Sequence, residues 1–187
     1  LSHIRETDAI AHVVRCFEDQ NITHVEGNID PVRDMEVINT ELCLADLDTV
    51  EKKKSKTAKL AQAGIKEAKA ILPALEKVFN ALQEGVPARS LHLSDDEQDV
   101  FKELNLITLK PVLYVLNIAE SDMSDPMSND YVKAAVSQAE KENAKWVPVS
   151  AEIEQEVSEL DTEEAKVFLT DLGETEPGLN RLIRAAY

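Results

Sequence analysis

Glycine is scarce in this chain, with five in 187 residues, and aromatic side chains make up only 4%. All-β sandwiches and barrels need turn glycines and strand aromatics, so that class is disfavoured and helix is expected to dominate. Cysteine is limited to Cys16 and Cys43, each inside an apolar run and with no ligand spacing around it. That excludes a disulfide scaffold or a zinc module, and both thiols are expected to be reduced core residues, as suits the cytosol. No apolar run approaches the length that crosses a bilayer, and no signal-peptide pattern opens the chain. A membrane partner is therefore not expected, and a cytoplasmic location is.

The apolar content of 43% and charged content of 30% describe a globular chain able to bury a normal core. Its formal net charge of −16 argues against wrapping nucleic acid over the whole surface, while leaving room for a local basic face. Leu1 to Thr7 reads as the end of a helix with neither initiator Met nor cap, and Gly178 to Tyr187 stops inside an amphipathic helix. A piece of something longer is expected.

Ala9 to Phe17 reads as a buried strand and Glu18 to Asn28 as a loop. Asp30 followed by Pro31 is a helix start, an N-cap acceptor with proline at the first helical position. Met35, Ile38, Leu42, Ala45 and Thr49 then recur at helical spacing, and the helix is expected to reach about Gln62. Gly64 breaks it. A second stripe through Ala68, Leu72, Leu75, Phe79 and Leu82 ends at Gly85, with a kink or break expected at Pro73. Two helices joined at a glycine form an antiparallel hairpin, and a first helix of roughly 45 Å is longer than a sheet-covering crossover needs. The hairpin is therefore expected to project as its own domain. Ser94-Asp95-Asp96-Glu97 is a capped, acidic helix start.

Two short runs carry the functional signal. Val112 to Glu120 is an apolar stretch, expected to begin at Leu109 as a strand, that ends in Asn117-Ile118-Ala119-Glu120. Trp146 to Glu152 is another, ending in Ser150-Ala151-Glu152. A helical pattern from Ser128 to Asn143 lies between them. This is the layout of two neighbouring parallel strands whose carboxyl ends face one crevice, where open α/β sheets bind ligands. Further short helices are expected over Glu152–Leu160 and Thr162–Leu172. The fold class expected is α/β, a partial P-loop NTPase-type sheet with flanking helices, interrupted by an all-α antiparallel coiled-coil insert. The divisions are 1–29 and 109–187 for the nucleotide-binding domain and 30–108 for the insert.

The stretches Ile4–Ile10, Val13–Phe17, Asp30-Pro31, Ile38–Leu42, Leu44–Leu47, Leu109–Pro111, Asn117–Glu120 and Glu176–Asn180 together resemble the YchF/Obg-like ATPase family, in the Obg branch of P-loop NTPases. The resemblance implies a discontinuous nucleotide-binding domain with a coiled-coil insert, followed in complete members by a small β-rich TGS domain. It implies binding and hydrolysis of ATP in preference to GTP, with Mg²⁺, in the intact parent, and an association with the ribosome or ribosomal RNA. The chain departs from the family pattern. It holds no Gly-x-x-x-x-Gly-Lys-Ser/Thr loop, no upstream Mg²⁺-ligating Ser/Thr and no Asp-x-x-Gly, and it is expected to be a fragment without the TGS domain. Phosphoryl transfer depends on the P-loop lysine and Mg²⁺, so these residues alone are expected to hydrolyse nothing and to hold no nucleotide tightly.

The nucleotide choice can be argued from the residues. In P-loop GTPases the two loops read Asn-Lys-x-Asp and Ser-Ala-Lys. Guanine offers two adjacent donors, and an ionised carboxylate, acceptor-only, takes both. Glu120 is one methylene longer than that Asp, and adenine offers a donor at N6 and an acceptor at N1, which a carboxylate would repel. The expected reader of N6 and N1 is backbone around Asn117 and Ile118. Asn117 would donate to N7 and accept from nearby loop backbone. Ile118 would cover the base face without charge, and Ser150 and Ala151 would shape the opposite wall. Taken alone, Asn-x-x-Glu is an ordinary strand-to-helix loop; its place after a buried strand opposite Ser150 favours the functional reading.

Lys52, Lys53, Lys54, Lys56 and Lys59 cluster towards the end of the first long helix. Such a run is either a solvated face favoured by helix-end electrostatics or a contact for ribosomal RNA or another polyanion. His3, His12, His24 and His92 have no companion at ligand spacing, and His12 is expected as a hydrogen-bonded core residue. Two functions follow: the base-recognition and arm portion of a translation-associated ATPase, or a non-catalytic protein- or RNA-interaction module built on the arm.

Overall fold

The computed structural model describes residues 2–18 and 28–186; most of the loop expected over 18–28, and His24, lie outside the described residues. A short helix Ser2–Arg5 (α1) precedes strand Ile10–Arg15 (β1), the long helix Pro31–Gln62 (α2) and its partner Lys66–Gln83 (α3). Then follow Asp95–Lys102 (α4), Val112–Asn117 (β2), Asp130–Lys141 (α5), Lys145–Val149 (β3), Ala151–Glu159 (α6), Thr162–Asp171 (α7) and Gly178–Ala186 (α8). They fold as two compact units. One comprises Leu1–Ile10 with Glu36–Pro111, the other Ala11–Met35 with Val112–Tyr187.

The first unit is helical. Helix α2 starts among residues of the second unit, where Asp30 Oδ1 accepts the Arg33 backbone N–H at 3.0 Å and caps it as Asp-Pro predicts. Gly64, at φ +92°, ends α2 with the paired bonds Gly64 N–H to Ala61 O and Ile65 N–H to Leu60 O, a left-handed closure that glycine adopts without strain. The chain then reverses, and Cys43 and Val50 of α2 share a core with Ala74, Leu75, Val78 and Leu82 of α3 and Phe101 of α4. Helix α3 runs unbroken through Pro73, which is exposed, so the expected break does not occur. Ser94 caps α4 in a complete capping box with Glu97.

The buried face of α2 differs from the expected stripe. Met35 and Leu42 are buried, but Ile38 is 42% exposed, and the polar residues Asn39, Asp46 and Thr57 lie inside. Asp46 explains both this phase and the grouping of the first ten residues with the helices. Its carboxylate accepts from Ile107 N–H (3.1 Å), Thr108 N–H (2.8 Å) and Thr108 Oγ1 (2.8 Å). Arg5 donates to the same carboxylate at 2.8 Å, and also to the carbonyls of Ala45 and Asn105. These bonds fasten the segment before β1 to the middle of α2.

The second unit is a three-stranded sheet in the order β1-β2-β3. β2 and β3 are parallel, with Asn117 opposite Val149. β1 runs the same way, since Ile10 N–H meets Pro111 O and Cys16 N–H meets Asn117 O six residues on. β2 is buried at every position before Asn117, as a central parallel strand covered on both faces should be. Leu113 and Val115 pack with Val147 and Val149 against Leu182 and Ala185 of α8. The alternate residues face the other side, where the Tyr114 hydroxyl donates to Glu142 at the end of α5 (2.7 Å). Two expectations are corrected here. Ile107–Leu109 is a 3₁₀ turn, so β2 begins at Val112 rather than Leu109. β1 is not a buried strand, because among the described residues it lies beside only β2, and its burial alternates, with Val13 62% exposed.

Candidate nucleotide-base site

The carboxyl ends of the three strands meet at one edge of the sheet. The Asn117 carbonyl accepts Cys16 N–H at 2.8 Å and Ile118 N–H donates to Val149 O at 3.0 Å, carrying the ladder past the ends of the assigned strands. The Asn117 side chain then crosses to the neighbouring loop, its Oδ1 accepting Ala151 N–H at 3.0 Å. Its Nδ2 donates to none of the described residues. Ser150, 1% exposed, turns its hydroxyl inward to cap α6 through Ile153 N–H (3.5 Å), and Ala151 is exposed. Asn117, Ser150 and Ala151 thus come together directly.

Glu120 stands three residues beyond Asn117, exposed, at the start of a 3₁₀ turn, Glu120–Asp122. Its carboxylate accepts no hydrogen bond from the described residues. Ile118 requires a correction. Its side chain is 1% exposed, so it has no surface with which to cover a base, and its N–H is committed to Val149. Two residues beyond Leu116, it continues the buried alternation of Tyr114 and Leu116, and the bond to Val149 extends the ladder to it.

Asp122 and Asn129 were missed by sequence reasoning. Asn129 caps α5 through Tyr131 N–H (2.8 Å) and Val132 N–H (3.3 Å), while its Nδ2 donates to Asp122 Oδ2 (2.7 Å) and to Cys16 O (3.0 Å). An Asn just before an acidic helix start is a recognisable cap signal. The helix expected from Ser128 starts instead at Asp130, with Asn129 as its cap. Burial pushes the Cys16 thiol up to about 12, with the Asp34 carboxylate adding to the effect. Both cysteines are free and buried, as the apolar runs predict.

The lysine cluster lies in the helical unit and divides by position around α2. Lys54 places its ammonium 3.2 Å from the centroid of the Phe79 ring, and Lys52 pairs with Asp48 at 2.6 Å. Lys53 is half-buried, and Lys56 and Lys59 are exposed. Lys66 and Lys69, at the start of α3 and also exposed, extend the cluster. Between Lys52 and Lys69 seven lysines face a single acid, Glu67, in a chain of net charge −16. His12 packs tilted against Tyr114, 5.4 Å between ring centroids. Among the described residues no group of three or more His, Cys, Asp or Glu is placed to hold a metal ion. None of the helices among the described residues is long and apolar enough to cross a membrane.

No family model matches the chain. Among curated proteins it is 46% identical over 187 residues to the ribosome-binding ATPase YchF of Bacillus subtilis (strain 168), and 49% and 47% identical to those of Haemophilus influenzae and Escherichia coli O157:H7. Each match covers 100% of this chain and 51% of the relative. Among solved structures, the Schizosaccharomyces pombe YchF GTPase matches with a TM-score of 0.86 at 31% identity, again over 100% of this chain and 51% of that one. The chain spans about half the length of the relatives it matches, and over that span it is similar in sequence and in α/β fold to the YchF proteins.

Proposed function

We propose that this chain supplies the purine-recognition half and the helical arm of a translation-associated P-loop NTPase that binds and hydrolyses ATP in preference to GTP. The observation that carries the reading is the bond from Ala151 N–H to Asn117 Oδ1. It joins the loops after two adjacent parallel strands and orients the Asn117 amide so that its donors are open to a ligand. In that reading Asn117 donates to the purine N7, and Ser150 and Ala151 form the wall opposite.

The buried Ile118 shifts the rest of the scheme. With its N–H engaged, the donor for adenine N1 comes from the amides that open the Glu120–Asp122 turn, which bond to none of the described residues. N6 is then read by backbone carbonyl. Glu120, exposed and unengaged, does not take the guanine-binding position of the shorter Asp. Phosphate and Mg²⁺ ligands belong to residues outside this chain. The relatives' names, a ribosome-binding ATPase in bacteria and a GTPase in fission yeast, support the nucleotide class.

The test is equilibrium binding of ATP and GTP to the full-length protein and its Glu120→Ala variant. ATP is expected to bind more tightly. A strong preference for guanine, undiminished in Glu120→Ala, overturns the reading.

A second reading rests on the lysines. Exposed Lys56, Lys59, Lys66 and Lys69, together with Lys52 and Lys53, form a basic patch on an otherwise acidic chain, suited to the ribosome, through ribosomal RNA or another polyanion. In that reading the arm is an interaction module whether or not the base site binds nucleotide. In both readings the protein is cytoplasmic.

A further inference from the structure

The connection from β2 to α5, residues 118–129, carries the base-side motif but has little to hold it. It contains two single 3₁₀ turns, Glu120–Asp122 and Pro126–Ser128, and beyond Ile118 its one buried apolar side chain is Met123. Loops of this length in compact domains need specific anchors to keep one conformation.

The Asn129 amide is such an anchor. A side-chain amide has two donors and an acceptor oxygen with two lone pairs. In Asn129 all four are used: Oδ1 accepts from Tyr131 and Val132, and Nδ2 donates to Asp122 Oδ2 and Cys16 O. Only this orientation satisfies two N–H groups on one side and two oxygens on the other. The amide thereby joins three pieces: the first turn of α5, the end of β1, and the turn that begins at Glu120. Asp122 is the handle on the loop. Its other oxygen lies 3.5 Å from Ser121 Oγ, so the bond to Asn129 at 2.7 Å is the one that holds the carboxylate.

We propose that Asn129 is a positioning residue for purine selection, acting through Asp122 on the Glu120–Asp122 turn. It touches no base. It fixes the turn whose opening amides face one in that reading, so loosening it blurs the distinction between adenine and guanine. This rests on the base-site reading above and adds to it a residue that the motif does not contain.

Three substitutions separate the anchor from the helix cap. Asn129→Ser keeps a good cap but removes both donors. Asn129→Asp also keeps the cap, and sets a second carboxylate against Asp122. Asn129→Asp with Asp122→Asn restores an amide–carboxylate pair with the partners exchanged. The experiment measures dissociation constants for ATP and GTP on the full-length protein, with thermal unfolding of the same samples. Asn129→Ser is expected to weaken ATP binding about fivefold, the size of one net hydrogen bond, and to compress the ATP-to-GTP ratio by a similar factor. Asn129→Asp is expected to lose more, and the double variant to recover most of that loss.

An unchanged ATP-to-GTP ratio in both single variants overturns the proposal. If Asn117→Ala still loses nucleotide in that assay, the base site stands and only the positioning role falls. If Asn117→Ala also binds normally, the base-site reading falls and takes this proposal with it. Should Asn129→Ser fail to fold, Asp122→Ala cuts the same link from the loop side, and the same ratio decides.

Discussion

The side-chain oxygen of Asn117 accepts the backbone N–H of Ala151 at 3.0 Å, across 34 residues of sequence. The same side chain therefore has a structural half and an unengaged half, and substitution can separate them. Asn117→Asp keeps the acceptor and removes the donors; Asn117→Ala removes both. Asn117→Asp is expected to unfold within about 0.5 kcal/mol of the natural protein, while Asn117→Ala loses about 1 kcal/mol. Both are expected to lose ATP affinity. Calorimetric titration alongside chemical denaturation checks this, and ATP binding by Asn117→Asp at the natural affinity would show that the amide donates to no base.

What was legible in the sequence, and what was not, divides along local and distant contacts. The caps at Asp30 and Ser94 and the turn at Gly64 depend on neighbours a few residues away, and each is readable in the sequence. Residues Asn39, Asp46 and Thr57 were not, because an apolar stripe predicts only apolar burial. Asn39 is bonded to Arg89, 50 positions on, and Asp46 to Thr108, 62 positions on. Those partners reverse the sign of burial for a polar side chain, and nothing in periodicity marks them. Ile118 failed for a related reason: the motif fixes its place in sequence, while one further residue of sheet pairing sends its side chain into the core.

Asp46 is the least replaceable polar residue of the helical unit. It is 0% exposed, and four donor atoms converge on its carboxylate: Arg5 Nη1, Ile107 N, Thr108 N and Thr108 Oγ1. Asp46→Ala leaves buried donors and a guanidinium without their acceptor, a change expected to cost about 3–5 kcal/mol. Asp46→Asn keeps one acceptor oxygen but points an NH₂ at the remaining donors, so it is expected to fall between the natural protein and Asp46→Ala. Thr108→Val removes one bond and keeps the backbone pair, for about 1 kcal/mol. Urea denaturation of the three variants should give that order; near-natural stability in Asp46→Ala would show the cluster to be dispensable.

The lysines near the hairpin turn should not behave alike. Lys54 lies on the Phe79 ring, so Lys54→Gln is expected to lower stability by about 0.5–1 kcal/mol while leaving polyanion binding nearly unchanged. Lys56→Gln and Lys59→Gln are expected to do the reverse. Each should shrink the slope of log affinity against log salt by about 0.7–0.9 per lost phosphate contact. Ribosome binding across a salt series, with thermal unfolding in parallel, distinguishes the two effects. A salt slope unaltered by Lys56→Gln and Lys59→Gln together would leave these residues as a solvated face.

The buried thiols are expected to make stability fall at alkaline pH. Burial pushes Cys16 up to about 12, helped by the Asp34 carboxylate, from an ordinary value of 9.0. Burial likewise pushes Cys43 up to about 11, where Arg89 opposes the shift and Asp46 adds to it. In the unfolded chain both thiols ionise near pH 9, while in the folded protein they stay neutral. Their neutral burial is therefore fully favourable below about pH 9 and is lost progressively as pH rises towards 11 and 12, because only the unfolded state can release the protons. Unfolding free energies measured at pH 8 and pH 10.5 should differ by on the order of a few kcal/mol from this source. Cys16→Ala and Cys43→Ala should each lower stability at pH 8 through lost packing, yet flatten the fall between the two pH values. A fall equally steep in the Cys16→Ala, Cys43→Ala double variant would assign the alkaline limit to other groups, and rapid reaction of both native thiols with a disulfide reagent at pH 8 would contradict their burial.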